Sequence, residues 1–374
     1  MKRILHWTDG FAPSIGGTEV LVLELARAQA RAGHEVQVVA ESLTNCPDTA
    51  LYEGIPVRRF PFTRTILAQD ATAIRGLATE LGRFRARAAP DHVHVHFNGA
   101  AAWFELLSRP PGPPPILTVH APIDCLRVPE PLRRHILRSA GTVVAVSEAH
   151  KACIAGFVPG IGPSLAVVRN GCAEPEATHP LVEDPGGVFR FACLGRLVDT
   201  KGFSVVLQAR ARVEAVRPGA CQVFVAGDGP ERHALEAEAT ALGLASRQVA
   251  FTGWIAPQDI HAWLQRADAV IVPSTWEEPF GLVAVEAALA GRPVIASRVG
   301  GLVEIVIDGV TGWLVPAADP DALAERMLAC IDAPDIGRRL GSQARQRAID
   351  EFTIDRCRAG YDRLYESSSA RATP

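Results

Sequence analysis

The chain has 374 residues, 48% hydrophobic and 21% charged, with a formal net charge of -3. That length suits two α/β domains better than one small core, and the balance excludes a disorder-dominated chain and the broad basic footprint nucleic acid requires. No apolar run approaches the ~20 residues of a membrane helix. The eight cysteines contain no Cys-x-x-Cys pair, so they indicate free thiols in a reducing compartment rather than a zinc cluster.

Short apolar runs alternate with amphipathic ones from Arg3 onward, the pattern of a parallel sheet covered by helices. No signal segment precedes the first strand, so a cytoplasmic protein is expected. Strands are expected near 3–7, 35–40, 55–60, 92–97, 115–120, 142–146 and 165–169. A helix opens after Gly16-Gly17 and stops at Gly33, a C-terminal glycine; another covers about 66–88. Residues 173–187 lose periodicity and are rich in proline, glycine and acidic groups, which reads as a linker. The alternation then restarts, with strands near 188–194, 221–226, 248–252, 268–273, 293–296 and 312–315, and a helical pattern over about 352–366. The expected domains are therefore 1–172 and 188–351, with 352–374 as a closing helix. Two doubly wound sheets would face a central cleft with their strands' carboxyl ends, where ligands of such folds bind.

Several motifs fall at those carboxyl ends. Gly195-Arg196-Leu197-Val198-Asp199-Thr200-Lys201-Gly202 follows a strand and precedes a helix. Arginine offers a planar fork and lysine a point charge, a pair suited to a diphosphate. Lys2, Lys151 and Lys201 are the chain's only lysines, so a lysine here is conspicuous. The stretch 273–291 runs from a strand through a loop into a helix starting near Phe280-Gly281-Leu282. The free backbone N–H groups of that helix start form a phosphate site. Glu278 precedes it and Glu286 lies within it among apolar neighbours, where a charge needs a partner. Gly16-Gly17, after the first strand, lets backbone approach a ligand but is not the dinucleotide fingerprint. Thr118-Val119-His120 ends another strand on the cleft side. Asn170-Gly171 and Gly227-Asp228-Gly229-Pro230 read as rim turns.

Two patterns are weighed and set aside. His92, His94 and His96 share one strand face, but no nearby Asp, Glu or Cys completes a metal set. Asp319-Pro320-Asp321 precedes a helical run and reads as an N-cap. No metal and no cofactor are expected. A third pattern, Arg83 to Arg87 with Arg133, Arg134 and Arg138, makes the first domain locally basic and raises peripheral contact with an anionic membrane. A solvated helix face is the favoured reading.

Taken together, the 195–202 motif, the Glu278 and Glu286 pair and Gly16-Gly17 resemble glycosyltransferase family 4 across nearly the whole chain. The resemblance implies a GT-B fold, two Rossmann-like α/β domains with the last helix crossing back to the first. It implies a retaining, metal-independent hexosyltransferase using a nucleotide diphosphate sugar, with UDP or GDP as the expected carrier. Arg196 and Lys201 would hold the diphosphate, Glu286 the ribose and Glu278 the transferred sugar. Gly16 would meet the phosphate end, with Gly17 beside it. His120 would lie next to the reacting sugar, and Gly253 and Trp254 would help frame the base. Attack would come from the front face, the leaving phosphate helping to deprotonate the acceptor. That acceptor, a saccharide, lipid or small molecule, is left open because it binds variable loops. Rival readings are a sugar phosphorylase or nucleotide-sugar epimerase of the same fold, and a non-enzymatic sugar-nucleotide-binding module.

Overall fold

Runs of valine, isoleucine, alanine and aromatic residues, apolar on successive positions, build strands buried on both faces, as parallel sheets require. In this computed structural model, which describes every residue except 45, 111–113, 176–186 and 372–374, such runs form two sheets. Most of the expected linker lies outside the described residues. The chain divides into two compact units, Met1–Gly171 with Ile354–Pro374, and Cys172–Thr353.

The first unit carries β1 (Arg3–Thr8), β2 (Glu35–Glu41), β3 (Thr49–Tyr52), β4 (Ile55–Phe60), β5 (His92–Phe97), β6 (Ile116–Val119), β7 (Thr142–Ala145) and β8 (Leu165–Val167). Their order is β3-β4-β2-β1-β5-β6-β7-β8, parallel throughout except for β3 against β4. Trp7, Phe62, Phe97 and Phe104 fill one face of this sheet. The other face is covered by the helices Gly17–Arg31 and Ile354–Arg371, the second burying Cys357, Tyr361 and Tyr365 against Ile4, Leu21 and Leu25. Strand order reverses between β1 and β5, the switch point at which ligands of such sheets bind.

Two sequence expectations need correction here. β3 was not anticipated. It is an antiparallel edge strand of exposed and half-buried residues, so it shows no apolar run. Its hairpin turns through Glu53 and Gly54, both at positive φ, the primed geometry that suits twisted strands. The helix expected over about 66–88 is two helices, Phe62–Leu67 and Ala71–Ala88. Gln69 takes a φ of 52° and Asp70 caps the second helix by accepting from the Thr72 N–H.

The second unit carries β9 (Phe189–Leu194), β10 (Cys221–Ala226), β11 (Val249–Gly253), β12 (Ala269–Val272), β13 (Val294–Ser297) and β14 (Gly312–Val315). The all-parallel order β11-β10-β9-β12-β13-β14 reverses between β9 and β12, its own switch point. Phe191, Val206, Ile271 and Met327 lie in its core. Asp319 accepts from the N–H groups of Asp321 and Ala322 at the start of the helix Pro320–Asp332, so its carboxylate is spent on a cap.

Candidate functional site

The second unit's switch point brings together two loops far apart in sequence. One leaves β9 and carries Arg196 and Lys201; the other leaves β12 and carries Glu278. Gly202, at φ +69°, lets the first loop press its backbone against the carbonyl of Pro273. Gly300, at φ +47°, packs in the same way on the Glu278 carbonyl, and the Gly301 N–H donates to that carbonyl at 2.7 Å. So anchored, the Lys201 ammonium donates to Glu278 Oε2 at 2.6 Å. The same oxygen accepts from Ser274 Oγ at 3.0 Å and Trp276 Nε1 at 3.1 Å. Lys201 Nζ also lies 5.5 Å from the centroid of the Trp276 ring. Oε1 of Glu278 takes no hydrogen bond among the described residues. The sequence set both side chains at the strand ends but did not reveal that they pair.

Gly281, at φ +110°, opens the helix Leu282–Leu289, whose first N–H groups lack helical partners. Glu286 sits about one turn into it, half-buried between Val285 and Ala287. Burial pushes its carboxyl up to about 7, and it has no hydrogen-bond partner among the described residues. Arg196 is exposed and makes no ion pair among the described residues. Phe280 is 3% exposed with its ring edge-on to Phe352, 5.9 Å between centroids. Its ring is core, and only its backbone is free to meet a ligand. Gly253 ends β11 at φ +77°, and Trp254 after it is 54% exposed.

The first unit presents a different chemistry. Gly16 and Gly17 open the helix Gly17–Arg31, with the Glu19 carboxylate over Gly16 where a Cβ would sit. At the ends of β1 and β5, Asp9 Oδ1 accepts from the Ala101 N–H at 2.9 Å while Oδ2 is buried without a partner. Burial pushes this carboxyl up to about 6. Sequence reasoning missed Asp9; its place just after the first strand was the available signal.

His120 follows β6, and its Nε2 lies 2.9 Å from His96 Nδ1. His96 Nε2 meets His6 Nδ1 at 2.9 Å, and His6 Nε2 meets Gln29 Oε1 at 2.6 Å. His94 bonds the Tyr365 hydroxyl and Thr118 Oγ1 at 2.9 and 2.8 Å. Burial lowers His6 to about 4 and His120 to about 3, with His94 and His96 well below the usual histidine range. The strand face of His92, His94 and His96 thus belongs to a larger network. His92 stacks on the Tyr365 ring, and His6 from β1 joins the other two. One nitrogen from each of His6, His94 and His96 lies within 4.8 Å of the other two, but all six ring nitrogens already have hydrogen-bond partners. The arrangement is a polar network, not a ready set of metal lone pairs.

The basic stretch at 83–87 is also not one face. Arg85 is 8% exposed and pairs with Glu105 at 2.7 Å, which also binds Arg109 at 2.6 Å. Arg133 and Arg134 lie over the Phe157 ring. Arg83, Arg87 and Arg138 remain exposed.

Residues 15–172 match the family described as Glycosyltransferase Family 4, and residues 181–347 that described as Glycosyl transferases group 1. The chain is 31% identical over 381 residues to a glycogen synthase of Mycobacterium tuberculosis, covering 94% of this chain and 91% of that protein. It is 30% identical to a 2-deoxystreptamine N-acetyl-D-glucosaminyltransferase of Streptomyces fradiae, covering 94% and 93%. Sucrose-phosphate synthase from Thermosynechococcus elongatus matches its structure with a TM-score of 0.84 at 23% identity, over 99% of this chain and 100% of that one. Anabaena HepE, solved in complex with UDP-glucose, matches with a TM-score of 0.78 at 22% identity, over 98% and 100%.

Proposed function

Because this chain belongs to glycosyltransferase family 4 and is a nucleotide-sugar-dependent enzyme of the GT-B fold class, we propose that it transfers a hexose with retention of configuration and without a metal ion. The donor is a UDP- or GDP-sugar, and the acceptor a saccharide, lipid or small molecule.

The observation that carries this reading is the Lys201 and Glu278 pair at the β9/β12 switch point, beside the free start of the helix Leu282–Leu289. A departing diphosphate needs positive charge held in advance. Lys201, fixed by Glu278, and the exposed Arg196 supply it, joined by the backbone N–H groups near Gly281 and Leu282. Glu278 keeps Oε1 for a hydroxyl of the transferred sugar. Glu286 takes the ribose hydroxyls, gaining the partners its half-buried carboxyl lacks. Gly253 and Trp254 frame the base. In the first unit, Gly16 and Gly17 meet the phosphate end through backbone and His120 meets the transferred sugar. The cationic side chains take over the charge neutralisation a metal would supply, and the leaving phosphate takes the acceptor's proton in a front-face attack.

Transfer assays in excess chelator test the metal claim, and the anomeric signal of the product tests retention. Full activity and an unchanged anomer are expected; loss of activity restored by manganese or magnesium, or an inverted product, overturns the respective claim. Product analysis with and without acceptor separates transfer from phosphorolysis or epimerisation.

A cytoplasmic location follows the same reading. With Arg85 buried, contact with a membrane rests on Arg83, Arg87 and Arg138. A solvated helix face predicts no pelleting with phosphatidylglycerol vesicles at low salt; pelleting lost at roughly physiological salt would show peripheral electrostatic contact. Salt-resistant pelleting would point to apolar insertion instead.

A further inference from the structure

We propose that Gln29, acting through His6 and His96, fixes the tautomer of His120 so that its Nδ1 presents a bare lone pair. His120 then accepts a hydrogen bond from a hydroxyl of the transferred sugar and donates none. The sugar contact rests on the reading of His120 given above; the tautomer does not.

The argument runs along one chain of atoms. A neutral imidazole has one N–H donor and one acceptor nitrogen, so fixing one end of a file of neutral rings fixes them all. Burial keeps His6, His96 and His120 neutral. Gln29 Nε2 donates to the Tyr365 hydroxyl at 3.1 Å, which turns Oε1 toward His6. The 2.6 Å between Gln29 Oε1 and His6 Nε2 suits N–H···O and is too short for two nitrogens. His6 therefore carries its proton on Nε2, and its Nδ1 accepts from His96 Nε2–H at 2.9 Å. His96 Nδ1 then accepts from His120 Nε2–H, also at 2.9 Å. That leaves His120 Nδ1 as an acceptor, buried and without a partner among the described residues.

The file has an anchor at the other side of Gln29 as well. The Tyr365 hydroxyl, accepting from Gln29, donates to His94 Nδ1, and His94 Nε2–H donates to Thr118 Oγ1. Reversing His120 requires turning the Gln29 amide and this whole branch together. The lone pair at the end of the file is the group a ligand hydroxyl would satisfy. Gln29, His6 and His96 are positioning residues in this arrangement, and none needs to touch substrate.

Proton–nitrogen correlation spectra of the full chain with isotope-labelled histidine read the tautomers directly. His6, His96 and His120 should all be protonated on Nε2; a wild-type His120 protonated on Nδ1 overturns the proposal. Gln29→Met removes the acceptor that starts the file, and His120 should then change from one tautomer to a mixture. A folded Gln29→Met that keeps the single Nε2–H form overturns the role of Gln29. Should that variant not fold, Tyr365→Phe removes only the hydroxyl that orients the amide. The Nδ1–H signal should rise, and an unchanged spectrum overturns the proposal. Unaltered turnover of UDP-glucose by His120→Ala would defeat the sugar-site reading while leaving the wild-type tautomer assignments intact.

Discussion

The two switch points solve opposite problems. At β9/β12 the polar groups are charged, and Lys201 and Glu278 keep side-chain exposures of 29% and 11%, so their partners can be exchanged. At β1, β5 and β6 the polar groups are neutral, buried and bonded to one another, with His6, His94 and His96 all at 1% exposure or less. This ion pair can open when a charged ligand arrives, because Lys201 keeps some contact with solvent and Glu278 keeps two further hydrogen bonds. A buried file of imidazoles cannot be opened cheaply, because each unpaired nitrogen bears its desolvation penalty. The first arrangement suits binding an anion that comes and goes, the second holding one atom in one orientation.

The largest expected effect strikes the buried file. His96→Ala leaves His6 Nδ1 and His120 Nε2 without partners. At about 1–3 kcal/mol for each stranded group, stability should fall by roughly 2–6 kcal/mol, measured by urea unfolding. A loss below about 1 kcal/mol would mean water or neighbouring groups relieve the gap, and the contrast between the two regions would weaken.

The charged rim should behave in reverse. Lys201→Ala should cost less stability than His96→Ala, about 1–3 kcal/mol, because Glu278 is mostly buried but keeps Ser274 and Trp276 as partners. It should weaken nucleotide diphosphate binding by roughly tenfold or more, since a charged hydrogen bond is typically worth about 1.5–3 kcal/mol, while nucleoside binding stays unchanged. Glu278→Gln keeps an oxygen for Ser274 and Trp276 and loosens Lys201, so diphosphate affinity should hold. Transfer should fall, in kcat and kcat/KM together, because the lost contact strengthens as charge develops on the sugar. Titration calorimetry beside steady-state kinetics checks both. A Glu278→Gln that loses diphosphate affinity and keeps kcat would show that this carboxylate serves Lys201 and not the sugar.

The contrast between the regions was only half legible in the sequence. The strands of both sheets could be read because buried parallel strands are continuous apolar runs; β3, an exposed edge, could not. The places of Arg196, Lys201, Glu278 and Glu286 in the fold were legible because each stands in a local pattern at the end of a strand or the start of a helix. Their pairing was not, since Lys201 and Glu278 lie 77 residues apart and meet only through the β9–β12 register. The histidine file was only partly legible for the same reason. His92, His94 and His96 show their alternation locally, whereas His6 joins them only because β1 pairs with β5, placing His6 opposite His94. Gln29 and Tyr365 come from helices at opposite ends of the chain and carry no local signal.

Glu286 gives the smallest effect and the finest test, because it combines the two strategies: an ionisable group kept in an apolar setting until a ligand supplies its partners. Burial raises its carboxyl from 4.5 to about 7. Between those values the folded protein holds the proton that the unfolded chain has released, so stability falls as pH rises across that window and levels off above it. Glu286→Gln removes this slope. Its melting temperature relative to the wild type should therefore rise between pH 5 and pH 8, by about a few degrees for a domain of this size. Ligand binding should move the other way. Ionised Glu286 accepts hydrogen bonds from two ribose hydroxyls, while the protonated acid accepts them poorly. Affinity of the wild type for uridine, which has no phosphate of its own to titrate, should therefore rise as pH passes through about 7. In Glu286→Gln it should be weaker and flat. Calorimetry with uridine at pH 6 and pH 8 decides the matter. Equal affinity at both in the wild type, alongside the expected stability slope, would leave Glu286 a half-buried acid with no part in holding the ribose.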